Sequence, residues 1–126
     1  LIAYLDTQVA FWLASGKPRR LTTDARRVIA KASLLLSPVV LLELEMLYEI
    51  RRSALSSQDI EAKLKSEVGL GICTLPFGDV IGSAMGEGWT RDPFDRLIVA
   101  NAKAAGLAPL VTADENIRKN YIRAVW

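Results

Sequence analysis

An α/β fold with a mostly parallel β-sheet flanked by helices is the fold class this sequence predicts. Three observations predict it. Short apolar runs alternate with longer amphipathic segments along the whole chain, and parallel strands need crossover connections, usually helices. The chain has 126 residues, which suits one domain. Apolar residues make up 51% and charged residues 24%, a composition that buries a core rather than staying disordered. One domain over residues 1–126 is expected, without linker, repeat or low-complexity tract.

The elements follow in order. Residues 1–5 form an apolar run that reads as a buried strand. Residues 7–14 read as a helix carrying Val9, Ala10, Phe11, Trp12 and Leu13, and Ser15-Gly16-Lys17-Pro18 as a loop. Thr23 or Asp24 can cap a helix through Lys31, with Ala25, Val28, Ile29 and Ala32 on one face. Residues 34–37 read as a second strand. Pro38 suits a first helical turn, and that helix is expected to run to about Ser53. A more polar helix, opened by Ser57, is expected over 56–67. Residues 71–75 read as a strand ended by Pro76, 79–87 as a short helix, and 93–105 as a strong helix stopped by Gly106. A strand at 110–112, a helical turn at 114–119 and a last strand at 122–125 complete the chain.

Two small counts exclude whole classes of chemistry. There is no histidine, which removes Ser-His-Asp and Cys-His nucleophiles, His-bound zinc and any imidazole acid–base pair. The single cysteine, Cys73, allows no internal disulfide, redox pair or thiolate zinc site. Carboxylate, hydroxyl and lysine or arginine chemistry remains. A reducing cytoplasm is the expected compartment. No apolar run approaches the ~20 residues of a membrane span, and residues 1–5 are too short for a secretory signal. The net charge is +2, a mild basic excess.

The acids carry the functional reading. Asp6 follows the first strand, Glu43 lies in the helix after the second, Asp95 opens the strong helix, and Asp114 follows the strand at 110–112. Asp92 stands three residues before Asp95. Each aspartate has an ordinary role at hand. Asp6, Asp92 and Asp114 sit at helix starts, where aspartate is a favoured cap, and Asp95 in a first turn gains from the helix dipole. Glu43 is harder to explain that way. Its neighbours at helical spacing are Val39, Val40, Met46 and Leu47, whereas Glu45 turns toward Glu49 and Arg52, a solvent face. A carboxylate on an apolar face costs several kcal/mol unless paired or bound to a cation. Arg96 or Lys103 could pair with it, or it could simply be exposed at the helix edge.

In open α/β sheets ligands sit beyond the carboxyl ends of the strands, where these four acids would meet. Clustered carboxylates raise one another's pKa, and a divalent cation removes that penalty. With oxygen donors alone, Mg²⁺ or Mn²⁺ is favoured. Such an ion suits phosphodiester hydrolysis, which needs no protein imidazole. Arg91, Arg96 and Arg118, with Lys119, lie near the acids and could hold a phosphate backbone. Trp12 and Trp89 could stack on bases or simply pack in the core.

Several motifs then stand in a fixed order. They are Leu5-Asp6-Thr7, Ser37 with Glu43 six residues on, the block Asp92-Pro93-Phe94-Asp95-Arg96 running on to Asn101-Ala102, Val111-Thr112-Ala113-Asp114, and a final Val125-Trp126. This arrangement resembles the PIN-domain toxins of VapC type over almost the whole chain. The resemblance implies a PIN fold and a Mg²⁺- or Mn²⁺-dependent endoribonuclease that inhibits translation by cutting RNA. It also implies a homodimer neutralised by a cognate antitoxin. The family's acidic positions map onto Asp6, Glu43, Asp95 and Asp114, as metal ligands and catalytic groups. Asp92 belongs to the same block in a supporting place. Thr7 and Thr112 would orient carboxylates through their hydroxyls, and Asn101 would be a buried polar support on the Asp95 helix. Two departures are visible: Gln8 stands where many relatives have histidine, and residues 78–88 are glycine-rich where relatives often carry an apolar helix.

Other classes fit less well. A receiver-type phosphoacceptor domain needs a strand-end aspartate and a well-placed lysine, but the strand at 71–75 ends in Pro76. A dehalogenase-like phosphatase wants Asp-x-Asp where this chain has Asp6-Thr7-Gln8, and no GxGxxG or Walker A loop is present. The competing reading is non-enzymatic: the same fold as a catalytically weak RNA- or protein-binding scaffold. A partner surface is expected on the early helices, around Phe11, Trp12, Leu42 and Met46.

Overall fold

The computed structural model describes residues 1–126. Five strands form one sheet in which every pairing is parallel. They are β1 (Ile2–Leu5), β2 (Ser33–Leu36), β3 (Gly71–Ile72), β4 (Leu110–Val111) and β5 (Ala124–Val125). The spatial order is β3-β2-β1-β4-β5. The chain therefore builds outward from β1 through β2 to β3, then returns to lay β4 on the other side of β1. That reversal makes the space beyond β1 and β4 the topological switch point, where such sheets bind ligands.

Seven helices flank the sheet: α1 (Thr7–Ala14), α2 (Thr23–Lys31), α3 (Pro38–Glu49), α4 (Ser57–Val68), α5 (Phe77–Ala84), α6 (Pro93–Ala104) and α7 (Glu115–Asn120). Helices α1, α3 and α4 pack on one another, α3 also meets α6, and α5 lies along α6. The core takes Tyr4, Leu5, Leu34, Leu36 and Leu110 from the strands, and Val9, Val40, Leu44, Ile60, Leu64 and Val99 from the helices. Continuous apolar strands are what a sheet covered by helices requires.

The expected elements are present in the expected order, and their ends differ for local reasons. Thr22, rather than Thr23 or Asp24, caps α2, its hydroxyl accepting from the Ala25 N–H at 3.1 Å. Ser56 rather than Ser57 caps α4. The start of the 15–18 loop is followed by one 3-10 turn, Pro18–Arg20. Helix α3 stops at Glu49, short of Ser53, because Arg51 adopts a left-handed conformation at φ 61. The Arg52 N–H then bonds back to the Leu47 carbonyl at 2.9 Å, the closure of a Schellman motif. Strand β3 has two residues rather than five; Cys73 adds one more bond to Leu36 before Pro76 ends donation. Helix α5 starts at Phe77 and ends at Ala84, ahead of the expected 79–87.

Candidate active site

Five carboxylates line one pocket of about 400 Å³: Asp6, Glu43, Asp92, Asp95 and Asp114. Thr7 and Gln8 line it too, and no lysine or arginine does. The four acids singled out from the sequence are thus brought together, Asp6 and Asp114 from the caps of α1 and α7, Glu43 from α3 and Asp95 from the first turn of α6, with Asp92 as a fifth.

Three of the aspartates cap helices while facing the pocket. Asp6 Oδ1 accepts from the Val9 N–H at 2.9 Å. Asp92 Oδ1 accepts from the Phe94 N–H at 2.8 Å, and Asp114 Oδ1 from the Ile117 N–H at 2.9 Å. Capping is a task for one carboxylate oxygen, so cap and site are compatible roles. Asp6 is buried, and its Oδ2 accepts from the Thr112 hydroxyl. The same Thr112 oxygen accepts from the Asp114 N–H at 3.1 Å, so one threonine ties the ends of β1 and β4 at their acids. Glu43 accepts from the Thr7 hydroxyl, which holds α3 to α1 across the pocket. Thr7 and Thr112, expected to orient carboxylates, thus each donate to one.

The electrostatics follow from the crowding. Burial pushes the Asp6 carboxyl up to about 6, and the charges of Asp114 and Glu43 add to it against the Thr112 and Val9 hydrogen bonds. Asp95 is pushed up to about 7 by burial, then by the charges of Asp92, Asp114, Glu43 and Asp6. Glu43 is raised by burial and by Asp92, against the Thr7 bond. An isolated cluster of this kind is strained by its own charge.

The basic residues do not relieve it. Arg96 donates through Nε to the Thr90 carbonyl at 2.7 Å, and Arg91 donates to the Gly88 carbonyl at 3.0 Å. Lys103 pairs with buried Glu87. The Arg96 and Lys103 partnerships considered for Glu43 are therefore absent, and Arg118 is exposed on α7. Asn101 is buried on α6 but donates to Cys73 Sγ at 3.1 Å; it supports the core beside Tyr4 rather than the acids. Trp89 donates to Glu87 at 2.7 Å, a packing role. Glu45 is half-buried, not on a solvent face, and accepts from the Ser57 N–H at 3.1 Å.

The donor set fits a hard divalent cation: oxygen ligands only, excess negative charge and no protein cation among them. No three of these carboxylates close around one point as a ready-made cage. Mg²⁺ suits such an open arrangement, because it keeps several of its waters and takes few protein ligands. Gln8 is the lining residue whose place the acid pattern alone did not define; its position beside Asp6-Thr7 was the available signal.

Comparison with known proteins gives a consistent picture. A model of the PIN domain family matches residues 3–122. Among solved structures, VapBC2 from Rickettsia felis, bound to a DNA fragment from their promoter, is similar at 22% identity and a TM-score of 0.59, over 94% of this chain and 92% of that one. VapBC-1 from nontypeable Haemophilus influenzae is similar at 18% identity and a TM-score of 0.61, over 94% and 91%. No curated protein matches the chain in sequence.

Proposed function

The chain belongs to the PIN domain family, and from that premise we propose that it is a divalent-cation-dependent endoribonuclease acting as the toxin of a toxin–antitoxin pair. The observation that carries this reading is the pocket itself: five carboxylates at the switch point with no cationic side chain among them. Asp6, Glu43, Asp95 and Asp114 are the residues we assign to hold Mg²⁺ or Mn²⁺, with Asp92 in support. When bound, the ion supplies Lewis acidity toward the phosphodiester and toward attacking water.

The chain's own groups do the rest. Thr112 and Thr7 donate to Asp6 and Glu43, which orients the carboxylates before charge builds up. Water adds to phosphorus and gives up one proton, the bond to one ester oxygen breaks, and that oxygen leaves as a hydroxyl on gaining a proton, so water's atoms are shared between the two products. The products are a phosphomonoester end and a hydroxyl end. Neither the ribose 2′-hydroxyl nor an imidazole takes part, which suits a chain without histidine. Gln8 lines the pocket wall, and in this reading it bears on the choice of substrate rather than on catalysis.

The partner in this reading is a cognate antitoxin, with translation inhibited when the toxin is released, in a homodimer working in the cytoplasm. No helix is long and apolar enough to cross a membrane. The antitoxin surface is best supported on α3 and its end, where Leu42, Met46 and Ile50 stand exposed at 57%, 43% and 60% with helical spacing that puts them in one line. Phe11 and Trp12, expected to join them, are half-buried against the core.

The test is RNA cleavage by the purified chain with Mg²⁺, with EDTA, and with Asp6→Asn. Loss of a partner that merely orients a ligand costs about 10- to 100-fold, so loss of Asp6 itself should exceed that, and EDTA should abolish cutting. Cleavage that survives EDTA, or full activity of the variant, overturns the mechanism. RNA binding without any cutting would return the molecule to the scaffold reading.

A further inference from the structure

Next to the acidic pocket lies a second cleft of about 580 Å³, lined by Glu115, Arg118, Lys119, Ala124 and Trp126. Register places it on the same rim of the sheet. Val111 of β4 is paired with Val125 of β5, and the Thr112 N–H donates to the Val125 carbonyl at 3.0 Å. Trp126 thus follows β5 at the level where Thr112, the anchor of Asp6, follows β4. Neighbouring strands are ~4.8 Å apart. Helix α7 makes the same junction from outside: Ile117 lines the acidic pocket, and Arg118 and Lys119 line the cleft.

The two cations are free. The ion pairs of the molecule are Asp24–Arg27 and Glu87–Lys103, so neither Arg118 nor Lys119 is neutralised, although Glu115 shares the cleft. Trp126 lies 5.9 Å from Trp12, centroid to centroid and tilted by 39°, and Arg20 stands 5.6 Å over the Trp12 ring. Two half-buried tryptophans packed against the core, with Arg20, Arg118 and Lys119 around them, therefore stand beside a pocket that has no cation of its own.

We propose that this cleft is a subsite for single-stranded RNA, in which Arg118 and Lys119 hold a backbone phosphate next to the one being cut and Trp126 offers a face to an unpaired base. The proposal rests on the nuclease reading for its direction, since it supplies the positive charge the acidic pocket lacks. Phosphate contacts to lysine and arginine set affinity and its salt dependence, and base–aromatic stacking is tolerant of sequence.

Binding of a fluorescent, unstructured oligouridine of about ten nucleotides is measured by anisotropy across KCl concentrations, in an Asp6→Asn background so that the strand stays intact. Arg118→Ala with Lys119→Ala should lower the slope of log affinity on log salt by about 1.4, that is ~0.7 for each charge on a single strand. Trp126→Ala should weaken binding about tenfold. Trp126→Phe keeps a stacking face and should recover most of that loss, which separates stacking from a general loosening of the segment after β5. With Asp6 intact, the double variant should raise KM more than it lowers kcat. Cleavage by the parent chain together with an unchanged salt slope and KM in the double variant overturns the subsite, and so does unchanged RNA binding when the same substitutions release a protein partner. A reduced slope in a chain that cuts no RNA upholds the subsite while the nuclease reading fails.

Discussion

Asp95 is the residue on which charge and function collide. It is raised to about 7, first by burial and then by the four other acids, and Asp6 to about 6. Unfolded carboxylates titrate near 4. Between about pH 4 and pH 7 the folded chain therefore holds more protons than the unfolded one, and stability falls as pH rises through that window. The penalty is absent below it, where both states are protonated, and complete above it. In EDTA the melting temperature should be higher at pH 5 than at pH 8, and Mg²⁺ at pH 8 should recover the difference. A flat profile would show that the cluster carries no such strain. Asp95→Asn should stabilise the metal-free chain at pH 8 by about 2 kcal/mol, after discounting for the solvent that reaches this half-buried group, while cleavage is lost. Thermal melts and RNA assays on the same preparation check both halves. Glu43 was legible at this scale because apolar neighbours at helical spacing leave a carboxylate unexplained. The fate of Arg96 was not: its bond to Thr90 depends on where the loop before α6 passes.

At the scale of elements, the loop leading into α6 is anchored by a pair that sequence patterns do not reveal. The Glu87 side chain is 3% exposed, that of Lys103 35%, and the two form an ion pair while Trp89 donates to the same carboxylate. Lys103→Met leaves Glu87 charged and buried without its cation. The expected cost in urea unfolding is about 2 kcal/mol, below that of a fully buried pair because Lys103 meets solvent. Arg27→Ala, which breaks a pair with 59% and 65% exposed side chains, should cost no more than about 0.5 kcal/mol. Equal losses from the two substitutions would refute this ranking. The centres of helices were legible from periodicity, and α1 and the start of α6 are placed as expected. Ends were less so. Arg51 stops α3 in a left-handed conformation usually left to glycine, and nothing in its residue type announces that.

On the scale of the whole molecule, the same helices that build the pocket leave a surface open on the far part of α3. Leu42→Lys with Ile50→Lys should change the stability of the isolated chain by less than about 0.5 kcal/mol, as exposed substitutions do, and weaken the complex with the proposed antitoxin at least about tenfold. An undiminished complex would move the partner to another face. The distribution of strand lengths carries a second expectation. Strands β1 and β2 have four residues, and β1 is paired on both sides, whereas β3 and β5 are two-residue edges. Hydrogen exchange should be slowest in β1 and fastest at the edges; faster exchange in β1 than in β5 would contradict the topology.

By itself the sequence determined the chemistry open to this protein: oxygen donors, no imidazole, one thiol, and aspartates at helix starts. Those properties are composition or contacts between residues a few positions apart, and local physics suffices to read them. The tertiary structure alone decided that Asp6, Glu43, Asp92, Asp95 and Asp114 share a single pocket. That meeting depends on the chain returning to set β4 beside β1, an outcome of long-range strand pairing and core packing that no short window contains. The same return puts Trp126 and the α7 cations on the rim beside the acids, because β5 pairs with the edge that β4 provides.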